Sequence, residues 1–324
     1  MLVPQYWAEA KEKKIIDGRQ VTIKRFGWSN ENQQSAQKHA QERVSEAFSL
    51  RQSGEKIRRT EPKVPYNGAE GVPIREEIVS RHRDSVITRN SYGALCINTP
   101  DVLFADIDTN KEPSGMLYLA AFFIYLACVI VASTYMKSWP LFFALLFLSI
   151  GVVPMLGNIL FNLVHLVLGS EDHLALQRIR DFSKHHQDWH LRVYRSPNGY
   201  RVLIMHKTFD PHEEDAQMLL QELRSDPIYV RMCKNQNCFR ARVSPKPWRI
   251  GIKRLKPRPG VWPIKGERMS ERFDWVKKYE IAAMNYASCR FLEKLSSDQV
   301  DSKADFIRSL HGKYPRSDAD LKIA

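Results

Sequence analysis

MLYLAAFFIYLACVIVASTYM (Met116–Met136), KSWP (Lys137–Pro140) and LFFALLFLSIGVVPMLGNILFNLVHLVL (Leu141–Leu168) follow one another without a break, two apolar runs joined by four residues. A helix needs roughly 20 apolar residues to cross about 30 Å of hydrocarbon. The first run has that length and no charge. The second is longer and carries Gly151, Pro154 and Gly157, which favour a kink or an extension along the interface. The pair predicts a transmembrane helical hairpin, which ties the chain before it and after it to one side of one bilayer. Asn158, Asn162 and His165 recur at helical spacing and share a face, expected to look at a partner helix or at headgroups.

Working outward, Lys111 precedes the first helix, Lys137 lies in the loop, and Arg178 and Arg180 follow the second helix. The excess of positive charge on the side of the flanking sequence predicts an integral membrane protein with two spans and both termini cytoplasmic. The apolar runs begin too far into the chain for a secretory signal. The 324 residues hold 49 Lys and Arg against 36 Asp and Glu, a net charge of +13. Nearly all of it lies outside the apolar runs, where a basic surface suits anionic lipid or nucleic-acid phosphate. Cys96, Cys128, Cys233, Cys238 and Cys289 lack the paired spacing of a zinc site and are expected to be free thiols, although Cys233 and Cys238 could face one another across a tight hairpin. His185, His186, His190, His206 and His212 are scattered without ligand spacing.

The pattern predicts an α+β fold, a mixed or antiparallel sheet with helices on one face, interrupted by the two-helix hairpin. Residues 1–57 read as a small accessory unit: a strand opening at Tyr6-Trp7-Ala8, a hairpin partner over Arg19–Phe26, and a helix capped by Ser29 that runs from about Asn32 to Leu50. This unit resembles the small sheet-plus-helix arm domains that some integrases place on DNA. Residues 58–115 hold a Pro- and Gly-rich linker (Arg58–Pro73) and the first part of the α+β domain: a short helix over Ile74–Arg81 and strands over Ser91–Asn98 and Val102–Ile107. After the hairpin (116–168), residues 169–260 supply the second part. Here we expect a helix over His173–His186, a β-hairpin turning at Ser196–Gly199, a helix over Asp215–Arg224, and strands over Ile228–Cys233 and Phe239–Val243. Residues 261–324 read as an amphipathic helix (Trp275–Leu295) and a polar, partly disordered tail. The hairpin thus becomes an insertion within one domain, whose halves are expected to complete one sheet.

Two features carry candidate chemistry. Asp106-Ile107-Asp108 ends an apolar strand, and alternate residues point to one face, so the two carboxylates converge where a cation relieves their repulsion. Such oxygen donors suit Mg²⁺ or Mn²⁺. The segment Arg231–Lys256 interleaves Arg240, Arg242, Lys246, Arg249, Lys253, Arg254 and Lys256 with Phe239 and Trp248. Arginines alternating on a strand can clamp phosphate, and Trp248 can stack on a base.

The order VLFADID, helix LALQRIRDF, hairpin YRSPNGYRVLI, Asp226 in RSDPIYVRMC, and FRARVSPKP resembles the palm of archaeo-eukaryotic-type primases and primase-polymerases, over roughly residues 90–255 without the hairpin. The resemblance implies a metal site at Asp106, Asp108 and Asp226 and nucleotide contacts from the basic strand. Where that family places its hairpin His, this chain has Arg201 or Leu203, with His206 further along the strand. VLFADIDT also resembles the opening of haloacid-dehalogenase-type phosphatases, with Asp106 as nucleophile, Asp108 as general acid and Thr109 following. The expectation is a membrane-anchored, cytosol-facing protein handling a nucleotide or nucleic acid with a divalent metal. Arg201, Arg240, Arg242, Lys246 and Trp248 would contact the phosphate or nucleic acid. The alternatives are a non-catalytic binding or scaffold protein with a basic surface, or such a phosphatase. The lipid bilayer and a membrane-helix partner complete the expected contacts.

Overall fold

The computed structural model describes residues 1–16, 18–61, 72–109, 113–260 and 262–324. Most of the Arg58–Pro73 linker, and Lys111 of the orientation argument, lie outside the described residues. The chain divides into two units, one formed by Met1–Ile107 with Phe182–Ala324, the other by Asp108–Asp181.

The first unit opens with an antiparallel hairpin, β1 (Tyr6–Ile16) and β2 (Arg19–Ser29), followed by helix α1 (Gln33–Gln52). Ala36, Ala40, Val44 and Ala47 recur every three or four residues on α1 and are buried, so the helix lays one small-residue face on the hairpin. The approach is so close that a Cβ on Gly27 would stand 2.2 Å from the Ala40 nitrogen, so only glycine fits there. The helix cap is Asn32, whose side chain accepts from Ser35 N at 2.7 Å, and not Ser29, which is still in β2.

Along the rest of the chain come β3 (Glu77–His82), β4 (Ser85–Arg89), β5 (Leu95–Thr99) and β6 (Phe104–Asp108). Then follow the helices α2 (Gly115–Tyr135), α3 (Trp139–Leu168) and α4 (Glu171–His185), and the hairpin β7 (His190–Ser196) and β8 (Gly199–Ile204). The remainder is α5 (Glu214–Glu222), α6 (Pro227–Gln236), β9 (Phe239–Arg242), α7 (Met269–Ala283), β10 (Tyr286–Ala287), β11 (Arg290–Ser296), α8 (Ser302–Lys313) and β12 (Lys322–Ile323). The architecture is α+β, with two four-stranded sheets of order β11-β7-β8-β6 and β3-β4-β5-β9. Each draws strands from both sides of the helical hairpin, so the strands that precede the hairpin pair with strands that follow it, in two sheets and not in one. Asp106 lies on an edge strand, beside β8.

Four local expectations are corrected. Ile74–Arg81 is not a helix: Glu77–His82 is β3, where Ile78 pairs with Thr88 and a bulge follows before Ser80. Ile228–Cys233 is not a strand but lies in α6. Asp226 caps it, its Oδ1 accepting from Ile228 N at 3.0 Å, and Pro227 takes the first turn where its missing N–H costs nothing. The helix expected over Trp275–Leu295 ends at Ala283, and Arg290–Ser296 leaves it to pair with β7. The C-terminal tail is ordered: Asp301 caps α8, and Ala304, Ile307, Leu310 and His311 bury one face of it.

In the second unit α2 and α3 are long and apolar enough to cross a membrane. At 1.5 Å per residue the 21 residues of α2 reach about 31 Å, and the 30 of α3 about 45 Å. Large apolar side chains face outward on both, among them Phe123 and Val131 on α2 and Phe147 and Ile150 on α3. Two contacts between the helices are a ring against a glycine and a hydroxyl against a carbonyl. The Tyr118 ring fills the space a Cβ on Gly157 would need, at 2.5 Å, and Tyr125 OH donates to the Leu145 carbonyl at 2.8 Å. Tyr118 is in the first turn of α2, so α3 beyond Gly157 outruns its partner. Asn158 and Asn162 there are exposed and do not face α2.

Candidate functional site

Asp106 is the centre of a charge cluster built by four elements. On β6 its carboxylate accepts from Arg201 Nη2 of β8 at 3.2 Å, while Arg201 Nη1 donates to the Arg242 carbonyl of β9 at 2.7 Å. The Arg201 side chain is 4 % exposed and that of Asp106 34 %, so the pair is a cation held inside by a carboxylate near the surface. Burial works against the Arg201 charge, but Asp106, together with Cys289 and Tyr229, holds the guanidinium above its ordinary pKa. His311 of α8 closes the cluster, its Nε2 at 3.4 Å from Arg201 Nη1. Burial first, then Arg201 and Arg192, push the His311 pKa well below its ordinary value, so the ring is neutral and Nε2 accepts. Cys289 Sγ lies 3.8 Å from the same nitrogen, but burial pushes its thiol up to about 11. A protonated thiol beside a neutral imidazole is packing, not a nucleophile pair.

Two of the three carboxylates expected to share a metal have partners within the fold. Asp106 is ion-paired, and Asp226 meets it only through the backbone, its N–H donating to the Asp106 carbonyl at 3.0 Å while its carboxylate caps α6. Asp108 ends the same strand, two residues beyond Asp106. Among the described residues no group of three or more His, Cys, Asp or Glu side chains is arranged to hold a metal ion.

The expected phosphate-binding arginines separate in the same way. Arg240 is buried, and its Nη2 donates to both carboxylate oxygens of Glu76, at 2.8 and 2.6 Å. Such a guanidinium is spent on the fold. Arg242 is partly buried, with Nη1 donating to the Ser244 carbonyl at 3.2 Å. Lys246 and Trp248 instead belong to a surface. Between Ser244 and Arg268 the chain carries eight cations and one carboxylate, Glu267. Ile250 and Leu255 plug this segment into the core against Trp275 and Tyr279, and Leu255 N donates to the Tyr92 carbonyl at 3.2 Å, so the cations turn outward. Trp248 stands among them, 45 % exposed, with Lys246 Nζ 5.7 Å and the Arg254 guanidinium 5.2 Å from its ring and Tyr92 edge-on at 5.2 Å. Arg249 Nη2 donates to Asn198 Oδ1 in the β7–β8 turn at 2.8 Å.

One group escapes the sequence reading altogether. Arg75, inside the stretch expected to be helical, lays its guanidinium on Phe26 at 4.1 Å and near Trp7 at 5.2 Å, and its Nε donates to the Trp262 carbonyl at 2.5 Å. Burial brings its pKa down to about 10. The only signal for it was the Pro-rich basic run after Lys256, which comes to lie beside it. Comparison of the chain with protein-family models, with curated proteins and with solved structures found no match.

Proposed function

We propose that this protein is a membrane-anchored, non-catalytic binding protein for single-stranded nucleic acid. The α2–α3 hairpin anchors it, and the basic segment 244–268 is its contact surface. Two crossings return the chain to the side it left, and Lys111, Arg178 and Arg180 against Lys137 put that side in the cytosol. The observation that carries the reading is Trp248, a half-exposed ring flanked by Lys246 and Arg254 in a segment of eight cations and one carboxylate. A stacking ring among phosphate-seeking cations is the pattern of sequence-tolerant strand binding. A headgroup-inserting patch needs several outward apolar side chains beside its cations. Among the described residues of this segment Trp248 is the one large apolar side chain that stands exposed.

The test is a titration of the full chain in zwitterionic nanodiscs with single-stranded oligonucleotides at several salt concentrations, with and without Mg²⁺, beside binding of the same chain to anionic vesicles. The reading expects oligonucleotide affinity that falls linearly in log–log with salt and is indifferent to Mg²⁺ beyond screening. Binding to anionic vesicles with none to oligonucleotides would overturn it, as would strict dependence on Mg²⁺.

A further inference from the structure

Beside Arg75 lies a cleft of about 340 Å³, at the lower end of the roughly 300–1,000 Å³ typical of small-molecule pockets. The β1–β2 hairpin and the Pro-rich segment after Lys256 form its walls. Arg75, Arg258, Lys265 and Arg268 line it, against a single carboxylate, Glu9, which is ion-paired with Lys24. Three prolines and Ile264 supply apolar walls between the cations.

The cations are aimed to different degrees. Arg268 is the most constrained, its Nη1 donating to the Arg258 carbonyl at 3.2 Å and its Nη2 to Glu271 at 2.8 Å. Lys265 is mostly exposed and only 4.0 Å from Glu267, a pairing of little strength in water. Arg75 is the informative member. Its plane is fixed by Phe26 on one face and its Nε by the Trp262 carbonyl, which leaves its two Nη groups as a fork. Among the described residues no carboxylate lies within ion-pair distance of it; Glu9 and Glu61 act on it only from further away. Its pKa, brought down to about 10 by burial, is that of a guanidinium kept from water without a matching anion. A planar fork held in place and short of an anion is suited to a phosphate, which accepts two parallel N–H bonds.

We infer that this cleft binds a nucleoside phosphate, free or as the terminal nucleotide of a strand, with the phosphate on Arg75, Arg258 and Lys265 and the base against the proline wall. The anion site stands on the cleft alone; the choice of a nucleotide over another organic phosphate rests on the nucleic-acid reading above.

The experiment is a calorimetric titration of the full chain in zwitterionic nanodiscs with a nucleoside monophosphate, its nucleoside, inorganic phosphate, and matched oligonucleotides with and without a 5′-phosphate. The nucleotide is expected to bind and the nucleoside not. R258Q and K265Q, both at exposed positions, should each weaken nucleotide binding by roughly tenfold, the loss expected for one charge-assisted hydrogen bond. R75Q should abolish it, and because Arg75 also packs on Phe26, folding of that variant is checked by circular dichroism; the two exposed variants decide the matter if it fails. A 5′-phosphorylated oligonucleotide preferred over its unphosphorylated twin identifies a strand end as the ligand, and tight binding of the free nucleotide identifies the small molecule. Nucleoside binding equal to nucleotide binding, no binding of any phosphate, or R258Q and K265Q titrating like wild type overturns the site. Oligonucleotide binding without nucleotide binding sinks this cleft and leaves the Trp248 surface standing. Nucleotide binding without oligonucleotide binding does the reverse.

Discussion

Arginines do opposite work in two regions of this molecule. In the interior Arg201 meets Asp106, Arg240 meets Glu76, Arg272 meets Glu77 and Arg89 meets Glu280, each buried cation seated on a named carboxylate. In the segment 244–268, Arg254 and Lys246 point at an aromatic ring, and the segment itself holds one acidic residue for eight cations, with Lys256 and Arg268 turning to Glu271 just beyond it. Both regions use the same residue type. What separates them is whether the fold brings a carboxylate within reach, and that carboxylate comes from far away in sequence. A cation already paired in a low-dielectric interior has no attraction left to offer a ligand, while one facing solvent among other cations gains by meeting a polyanion.

The harshest way to break the comparison is to strand an interior cation. Glu76→Ala leaves the Arg240 guanidinium buried and unpaired, and losing one partner of a buried pair costs about 3–5 kcal/mol. Chemical unfolding of the full chain should show this loss, with the salt dependence of oligonucleotide binding unchanged in whatever folds. A variant as stable as wild type would mean Arg240 is not a structural cation. On the other side, Trp248→Ala should cost binding and not folding. Removing one base-stacking ring weakens single-strand binding by about 1–3 kcal/mol, while the unfolding midpoint stays where it was because the ring is half-exposed.

The same contrast explains what the sequence made legible. The helical hairpin, the α+β class, the β1–β2 and β7–β8 hairpins and the place of Trp248 rest on local patterns: apolar run length, alternation, a turn at Ser196–Gly199, cations without acids. Pairing across distance is not local. Nothing around FRARVSPKP announces that Arg240 is answered by Glu76, 164 residues earlier, and nothing in VLFADID says that Arg201 claims Asp106. The Asp226-Pro227 cap is a local helix signal that competes with the strand signal of the β-branched Ile228 and Val230 behind it. Arg75 was hidden because it works with Phe26 on one side and a proline run near residue 260 on the other.

Acid probes the interior further. His311 touches Arg201, and burial with Arg201 and Arg192 holds its folded pKa well below the ordinary 6.5. Burial likewise lowers His190 and His206. Below about pH 6.5 the unfolded chain takes up protons that these folded histidines refuse, so stability falls as pH drops, by up to about 1.4 kcal/mol per pH unit for each histidine, and is level above that range. Unfolding midpoints taken between about pH 5 and pH 7.5 check the sign. His311→Gln, which keeps an acceptor for Arg201, should flatten the curve by one histidine's share; an unchanged slope would place His311 in contact with solvent.

The finest test sets one arginine from each region against the other in a single readout. Arg254→Gln removes a surface cation, and if it meets one phosphate of a single strand, the log–log salt slope falls by about 0.7 while stability holds. Arg240→Lys keeps the charge but, with a shorter side chain and no planar guanidinium, loses the placed pair of hydrogen bonds that Nη2 makes to Glu76, so stability drops and the slope stays. The two variants therefore move different observables although each alters one arginine within a stretch of fifteen residues. If Arg240→Lys lowers the salt slope as Arg254→Gln does, the interior cation reaches the ligand after all. The division between structural and binding arginines would then have to be redrawn around β9.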